Sequence, residues 1–206
     1  MDKQNLTLIR RLGQVIEELT RIHDELASQE PEPKTEPAAM PEKFDKNHPY
    51  DPALFGWVDL GLPSGRLWAD RPAPGYYQYD QAVEAFGEDL PKGVAMAELC
   101  EECEWTWDEF RKGYDVKGKN GNRIFIPALG WQDWDEATGE LIPGALSSVG
   151  SSGSWRAFSP VSQASARNLN FNASAVFPLG TSYRSYGCAV LPSRESYPDT
   201  STAARI

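Results

Sequence analysis

The sequence predicts an α+β domain of short strands with two helices and irregular loops, preceded by an N-terminal coiled-coil helix. Three observations carry this. From residue 53 onward, short apolar runs alternate with Gly, Pro and Asn turns. Segments 78–86 and 94–103 have helical spacing and helix-forming composition. Leu8, Leu12, Val15, Leu19, Ile22 and Leu26 recur alternately four and three residues apart, a heptad seam.

Taking the elements in order, 5–27 reads as an amphipathic helix inside an oligomerisation segment, 1–28. Leu12, Leu19 and Leu26 occupy a, and Leu8, Val15 and Ile22 occupy d. Leu at a with β-branched residues at d leans toward more than two strands, and Ile9 and Ile16 at e widen the stripe. A homo-oligomer, trimer or tetramer, is expected. Residues 29–52 are rich in Pro and Glu and poor in apolar side chains, the composition of an extended linker.

The folded domain is expected over 53–206. Segments 57–60 and 66–68 flank the turn Pro63-Ser64-Gly65. Segments 114–116 and 123–126 bracket Asn120-Gly121, a strong hairpin signal. In 168–172 Asn and apolar residues alternate, so Leu169 and Phe171 are expected to face a core while Asn168, Asn170 and Asn172 face outward together. Residues 187–190 read as a closing core strand.

Composition excludes several functions. The 206 residues carry 30 acidic and 20 basic side chains, a net charge of −10, which argues against nucleic-acid or anionic-membrane partners. No window approaches the about 18 apolar residues of a membrane span, and no apolar segment of signal-peptide length opens the chain. Synthesis in the cytoplasm without export through a signal peptide is expected, as is no membrane insertion. Cys100, Cys103 and Cys188 are an odd number, so no disulfide framework is indicated.

Catalytic chemistry finds few candidates. His23 and His48 lie in the helix and linker, so the domain offers no histidine base for a serine or cysteine nucleophile. Cys100 and Cys103 have the spacing of a zinc half-site but lack a second pair. Asp133, Asp135, Glu136 and Glu140, following Trp131 and Trp134, leave open a metal-dependent enzyme built on the acidic 131–140 loop, although a solvated loop is the plainer reading. No cofactor is expected, and neither catalytic nor metal-binding residues are assigned.

The segment 141–194 is different. It contains no Asp, Glu, Lys or His, but four arginines, twelve serines and three asparagines among aromatic rings. Small polar groups adapt their hydrogen bonds and rings supply contact area at low entropic cost, the mixture of antibody paratopes. A recognition surface is expected here. The charge split agrees: residues 141–206 hold five arginines and two acids, net +3, leaving −13 for 1–140.

Three ordered blocks then carry a family resemblance. Residues 57–69, Trp-Val-Asp-Leu-Gly-Leu-Pro-Ser-Gly-Arg-Leu-Trp-Ala, resemble a "VDLGLPSG-x-x-WA" signature. Cys103 to Trp107, Gly113 to Val116 and Asn120 to Ala128 are similar to the same family's middle block. Trp155, Ser159, Pro160, Ala166, Leu169, Phe171, Val176, Arg184, Gly187, Val190 and Pro192 are similar to its final frame. The family comprises C-type lectin-like variable proteins of diversity-generating retroelements in gut bacteria and phage.

The resemblance implies a C-type lectin-like fold. It also implies a hypervariable binding face, at about 150–190, rewritten by reverse transcription of a template. On that basis the candidate ligand-binding residues are Arg156, Phe158, Arg167, Asn168, Asn170, Asn172, Phe177, Tyr183, Ser185 and Tyr186. Adenine-directed rewriting of Asn codons yields Asn, Ser, Tyr, Phe and Arg but not Lys or Glu, as this segment requires, although Gln163 lies outside that set. Trp155 cannot arise that way and reads as scaffold. No Glu-Pro-Asn or Trp-Asn-Asp pattern of calcium-dependent sugar lectins is present. The implied role is receptor recognition, with a protein or glycan on a cell surface as ligand, by a phage-tail or cell-surface protein. A structural virion or pilin-like subunit is the remaining alternative.

Overall fold

A computed structural model describes residues 50–196. The expected helix over 1–28 and linker residues 29–49 lie outside the described residues, as do 197–206. The described part is a mixed α+β domain of small antiparallel sheets with two α-helices. Packing begins at Tyr50, whose ring lies 4.6 Å from that of Phe86.

The first block builds two short strands, β1 (Trp57–Asp59) and β2 (Leu67–Ala69), paired antiparallel. Between them Leu60 and Leu62 are buried, and the returning strand β11 (Ser193–Arg194) adds to β2. The turn residues dock on both neighbours. Ser64 donates from N and Oγ to the Glu98 carboxylate at 2.8 and 2.6 Å. Asn120 and Asn122 each donate Nδ2 to the Asp59 carbonyl at 2.8 Å. A Cβ at Gly118 would lie 2.1 Å from the Leu60 carbonyl oxygen, so only glycine permits this approach.

Helix α1 (Tyr79–Phe86) buries Tyr79, Ala82 and Phe86, spaced by three and four, and stops at Gly87, whose φ is +52°. Its start is fixed by the Gln78 amide donating to Gln81 Oε1 at 3.1 Å. Helix α2 (Gly93–Glu102) buries Ala95, Met96 and Leu99 against the last three long strands. The three-stranded sheet β3 (Glu104–Asp108), β4 (Gly113–Lys117) and β5 (Arg123–Pro127) follows, with Gly121 at φ +90° in the expected turn.

Next, β6 (Trp131–Trp134) pairs with β7 (Leu141–Ser147). A second three-stranded sheet then runs in the order β10 (Ala175–Tyr183), β9 (Ser165–Asn172), β8 (Ser152–Pro160). Residues 187–190 form no named strand, but bridges join Cys188 to Tyr77, Gly187 to Gln132 and Ala189 to Trp155, and all four residues are buried. The core joins Trp68, Met96, Leu99, Ile126, Trp155, Leu169 and Leu191, each at most 1 % exposed. Full burial of such side chains stabilises by about 1.5–3 kcal/mol each.

Candidate functional site: a cavity on the last three strands

Directly opposed residues in antiparallel strands point to the same face, which assigns Asn168, Asn170 and the residues opposite them. Ser154 opposes Asn170 and Arg156 opposes Asn168 across β8 and β9, while Phe177 on β10 opposes Asn170. That face is lined with polar groups. The opposite face carries Leu169 and Phe171, packed beneath Tyr114, whose ring meets that of Phe171 at 5.3 Å and 89°.

Between Phe177 and Gly180 the pairing of β10 shifts register, at a point where Pro178 has no N–H to donate. At the end of β10, the turn 183–186 folds back toward β8 and is tethered to α1. Tyr79 N donates to the Arg184 carbonyl at 2.9 Å, and Gln78 Nε2 to the Ser185 carbonyl at 2.9 Å. Arg184 pairs with Asp80 while its guanidinium lies 4.4 Å over the Tyr79 ring. Residues Tyr183 and Tyr186 are thereby presented side by side, their rings 5.7 Å apart.

The result is a cavity of about 660 Å³, within the size range of small-molecule sites. Asn170, Asn172, Phe177, Tyr183 and Tyr186 line it, five of the ten residues expected to bind ligand. Phe177 and Tyr183 are 52 % and 59 % exposed. No charged side chain lines the cavity.

Two expected surface residues lie elsewhere. Arg156 and Asn168 are completely buried, so the three asparagines do not face outward together. The physical reason is the returning turn. Arg156 Nη2 donates to the Tyr186 carbonyl at 2.6 Å and Nη1 to Asn168 Oδ1 at 3.2 Å, closing over that end of the sheet. Asn168 Nδ2 in turn donates to Ser154 Oγ at 2.8 Å and Ser182 Oγ at 2.7 Å. Both residues form a hub behind the cavity wall. Phe158 is exposed at the far end of β8, where its N–H donates to the Pro91 carbonyl. Arg167 is half-buried and donates to the Leu179 carbonyl at 3.0 Å, and Ser185 is half-buried in the turn. None of these three lines the cavity.

Lining residues that sequence reasoning missed are Trp131, Ser152, Ser154, Thr181, Ser182 and Cys188, among others. Alternation along β8 could have found Ser152 and Ser154, four and two residues before Arg156. Trp131 had no local signal, because the bridge from Gln132 to Gly187 brings it there. Gly187 was a hint, since a Cβ on it would lie 3.0 Å from that of Gln132.

The acidic loop has a different use. Asp135 Oδ1 accepts from Ala137 N and Thr138 N at 2.8 and 3.0 Å, closing the turn between β6 and β7. The Thr138 and Ala137 N–H groups hold its carboxyl below the usual range. Asp133 accepts from Ser147 Oγ at 3.0 Å. Among the described residues no group of three or more His, Cys, Asp or Glu converges as a metal site. Burial pushes the Cys100 thiol up to about 12 and that of Cys103 to about 11, so neither is a ready nucleophile. Among the described residues no helix is long and apolar enough to cross a membrane.

No family model, no curated protein and no solved structure matches the chain.

Proposed function

We propose that this chain is a non-enzymatic ligand-binding protein, with the cavity on β8–β10 as its binding site. The observation that carries this reading is the convergence of Asn170, Asn172, Phe177, Tyr183 and Tyr186, separated by up to sixteen residues in sequence, on one uncharged concave surface. Rings held on a rigid sheet provide contact area, and hydroxyl and amide groups provide orientation. Support for a binding rather than catalytic role comes from the hydroxyls: Ser154 donates to the amide oxygen of Asn170 at 3.0 Å, which cannot take up its proton as a base would.

On the resemblance of the three sequence blocks, the domain is a C-type lectin-like scaffold and the protein a receptor-recognition module of phage or cell surface. Its N-terminal helix displays three or four copies, and its ligand is a protein or glycan on a cell. Simultaneous engagement of several copies raises affinity by about 100-fold or more. Diversification by a retroelement is proposed for the exposed and half-buried candidates, sparing the hub of Arg156 and Asn168. A neighbouring near-copy of the codons for 150–190 that differs at adenines tests this, and absence of such a copy removes it.

The binding role is tested by screening the full chain on immobilised glycans and a displayed protein library, then repeating with Asn170, Phe177 and Tyr186 together changed to alanine. Binding is expected to disappear while the unfolding transition remains cooperative. Retained binding by the folded triple variant rejects the site.

A further inference from the structure

Arg156 is completely buried, yet among the described residues no carboxylate pairs with it. Its neighbours are neutral oxygens of Asn168, Ser182, Tyr183 and Tyr186, and its Nε meets no acceptor. A buried cation without an ion partner is costly, and an anion placed nearby offsets that cost.

Two chains of hydrogen bonds lead from it toward the cavity. Arg156 Nη1 donates to Asn168 Oδ1, which fixes the amide so that its Nδ2 donates to Ser154 Oγ. Ser154 then donates to Asn170 Oδ1 at 3.0 Å, and that amide's Nδ2 is left as the last donor. Among the described residues Asn170 Nδ2 has no acceptor, and Asn170 lines the cavity. A second branch ends on Ser182 Oγ, which accepts from both Arg156 and Asn168 and also lines the cavity. With both donations filling its oxygen, its proton is held only by long contacts, to the Tyr183 carbonyl at 3.4 Å and Cys188 Sγ at 3.9 Å. Chains of hydrogen bonds polarise one another, so both branches carry the guanidinium's positive character to the cavity as donors.

Space at the end of the first branch depends on Gly180. A Cβ there would lie 2.4 Å from Asn170 Nδ2. Along the edge strand β10, the register shift beside Pro178 blunts addition of a peptide strand. The aromatic rings and hydroxyls of the cavity suit instead the apolar faces and hydroxyls of a sugar ring.

We propose that the cavity binds an acidic sugar, its carboxylate taken by Asn170 Nδ2 and the Ser182 hydroxyl and its ring set against Phe177 and Tyr186. This rests on the cavity being the binding site. Calorimetric titration of the full chain with glucuronate, glucose, N-acetylglutamate and N-acetylglutamine tests it. Glucuronate is expected to bind about tenfold or more tightly than glucose, the scale of one charge-assisted contact. Asn170→Asp replaces the terminal donor by a carboxylate and is expected to erase that preference while the thermal midpoint holds or rises, since the new anion lies on the chain from Arg156. Gly180→Ala is expected to erase it by displacing the amide, and serves if the first variant misfolds. Equal binding of glucuronate and glucose, or an acid preference that survives in folded Asn170→Asp, overturns the proposal. Tighter binding of N-acetylglutamate than of glucuronate overturns the sugar assignment in favour of an acidic peptide. If none of the four probes binds while the chain still takes a ligand through Phe177 and Tyr186, the acidic-sugar proposal falls and the cavity remains the binding site.

Discussion

On one face of β9, Leu169 and Phe171 are equally buried, 1 % and 2 % exposed, against a continuous apolar core. On the other face Asn168, Asn170 and Asn172 pass from complete burial through partial burial to exposure within five residues. The apolar side needs only volume and shape to be filled. The polar side is divided by a returning turn into a hydrogen-bonded hub and an open cavity. A single strand thus anchors the fold chiefly with one set of side chains and offers ligand contacts chiefly with the other, Phe171 belonging to the core and also bordering the cavity, and damage to Leu169 and to Asn170 should separate in experiment.

The largest effect is expected from the apolar face. Phe171→Ala removes a ring that meets both Tyr114 and Trp107, and should lower the unfolding free energy by about 3–5 kcal/mol, read by denaturant titration. The hub should come next. Asn168→Ala leaves a buried guanidinium short of an acceptor and should lower stability by about 2–3 kcal/mol, more than expected for a surface asparagine. A loss under about 0.5 kcal/mol would show that the polar face is not divided in this way.

The smallest effect lies away from both faces. Because burial raises the thiol pKa values of Cys100 and Cys103 to about 12 and 11 from 9.0, the folded chain keeps these protons where the unfolded chain loses them. Their contribution to stability is complete below pH 9 and is lost as pH rises through 11 to 12. At pH 8 both thiols should be alkylated more than about tenfold more slowly in the folded chain than after unfolding, as followed by mass spectrometry.

Much of the scaffold was legible in the sequence. Helical spacing located α1 and α2 to within a residue, and the Asn120-Gly121 signal located the β4–β5 hairpin. Alternation correctly oriented Leu169 and Phe171, and Trp155 proved fully buried, as a scaffold residue should be. These are local signals. The site was half legible for the same reason. Period-two alternation tells which face a residue joins, but not whether a distant segment covers that face. Arg156 and Asn168 are covered because Tyr183 to Tyr186 return over them, held by Gln78 and Tyr79 more than a hundred residues earlier. Trp131 enters the cavity through a bridge between residues 132 and 187. Neither pairing has a local sequence pattern.

The most direct test of the two-faced sheet compares Phe177→Ala with Leu169→Ala in the full chain, measuring both unfolding and affinity for the ligand selected by the screen. Phe177→Ala should lose binding with stability changed by less than about 0.5 kcal/mol, whereas Leu169→Ala should lose about 2–5 kcal/mol while its folded fraction binds normally. Phe177→Ala that binds like the parent chain, or that unfolds as readily as Leu169→Ala, would contradict the assignment of the cavity as the binding site.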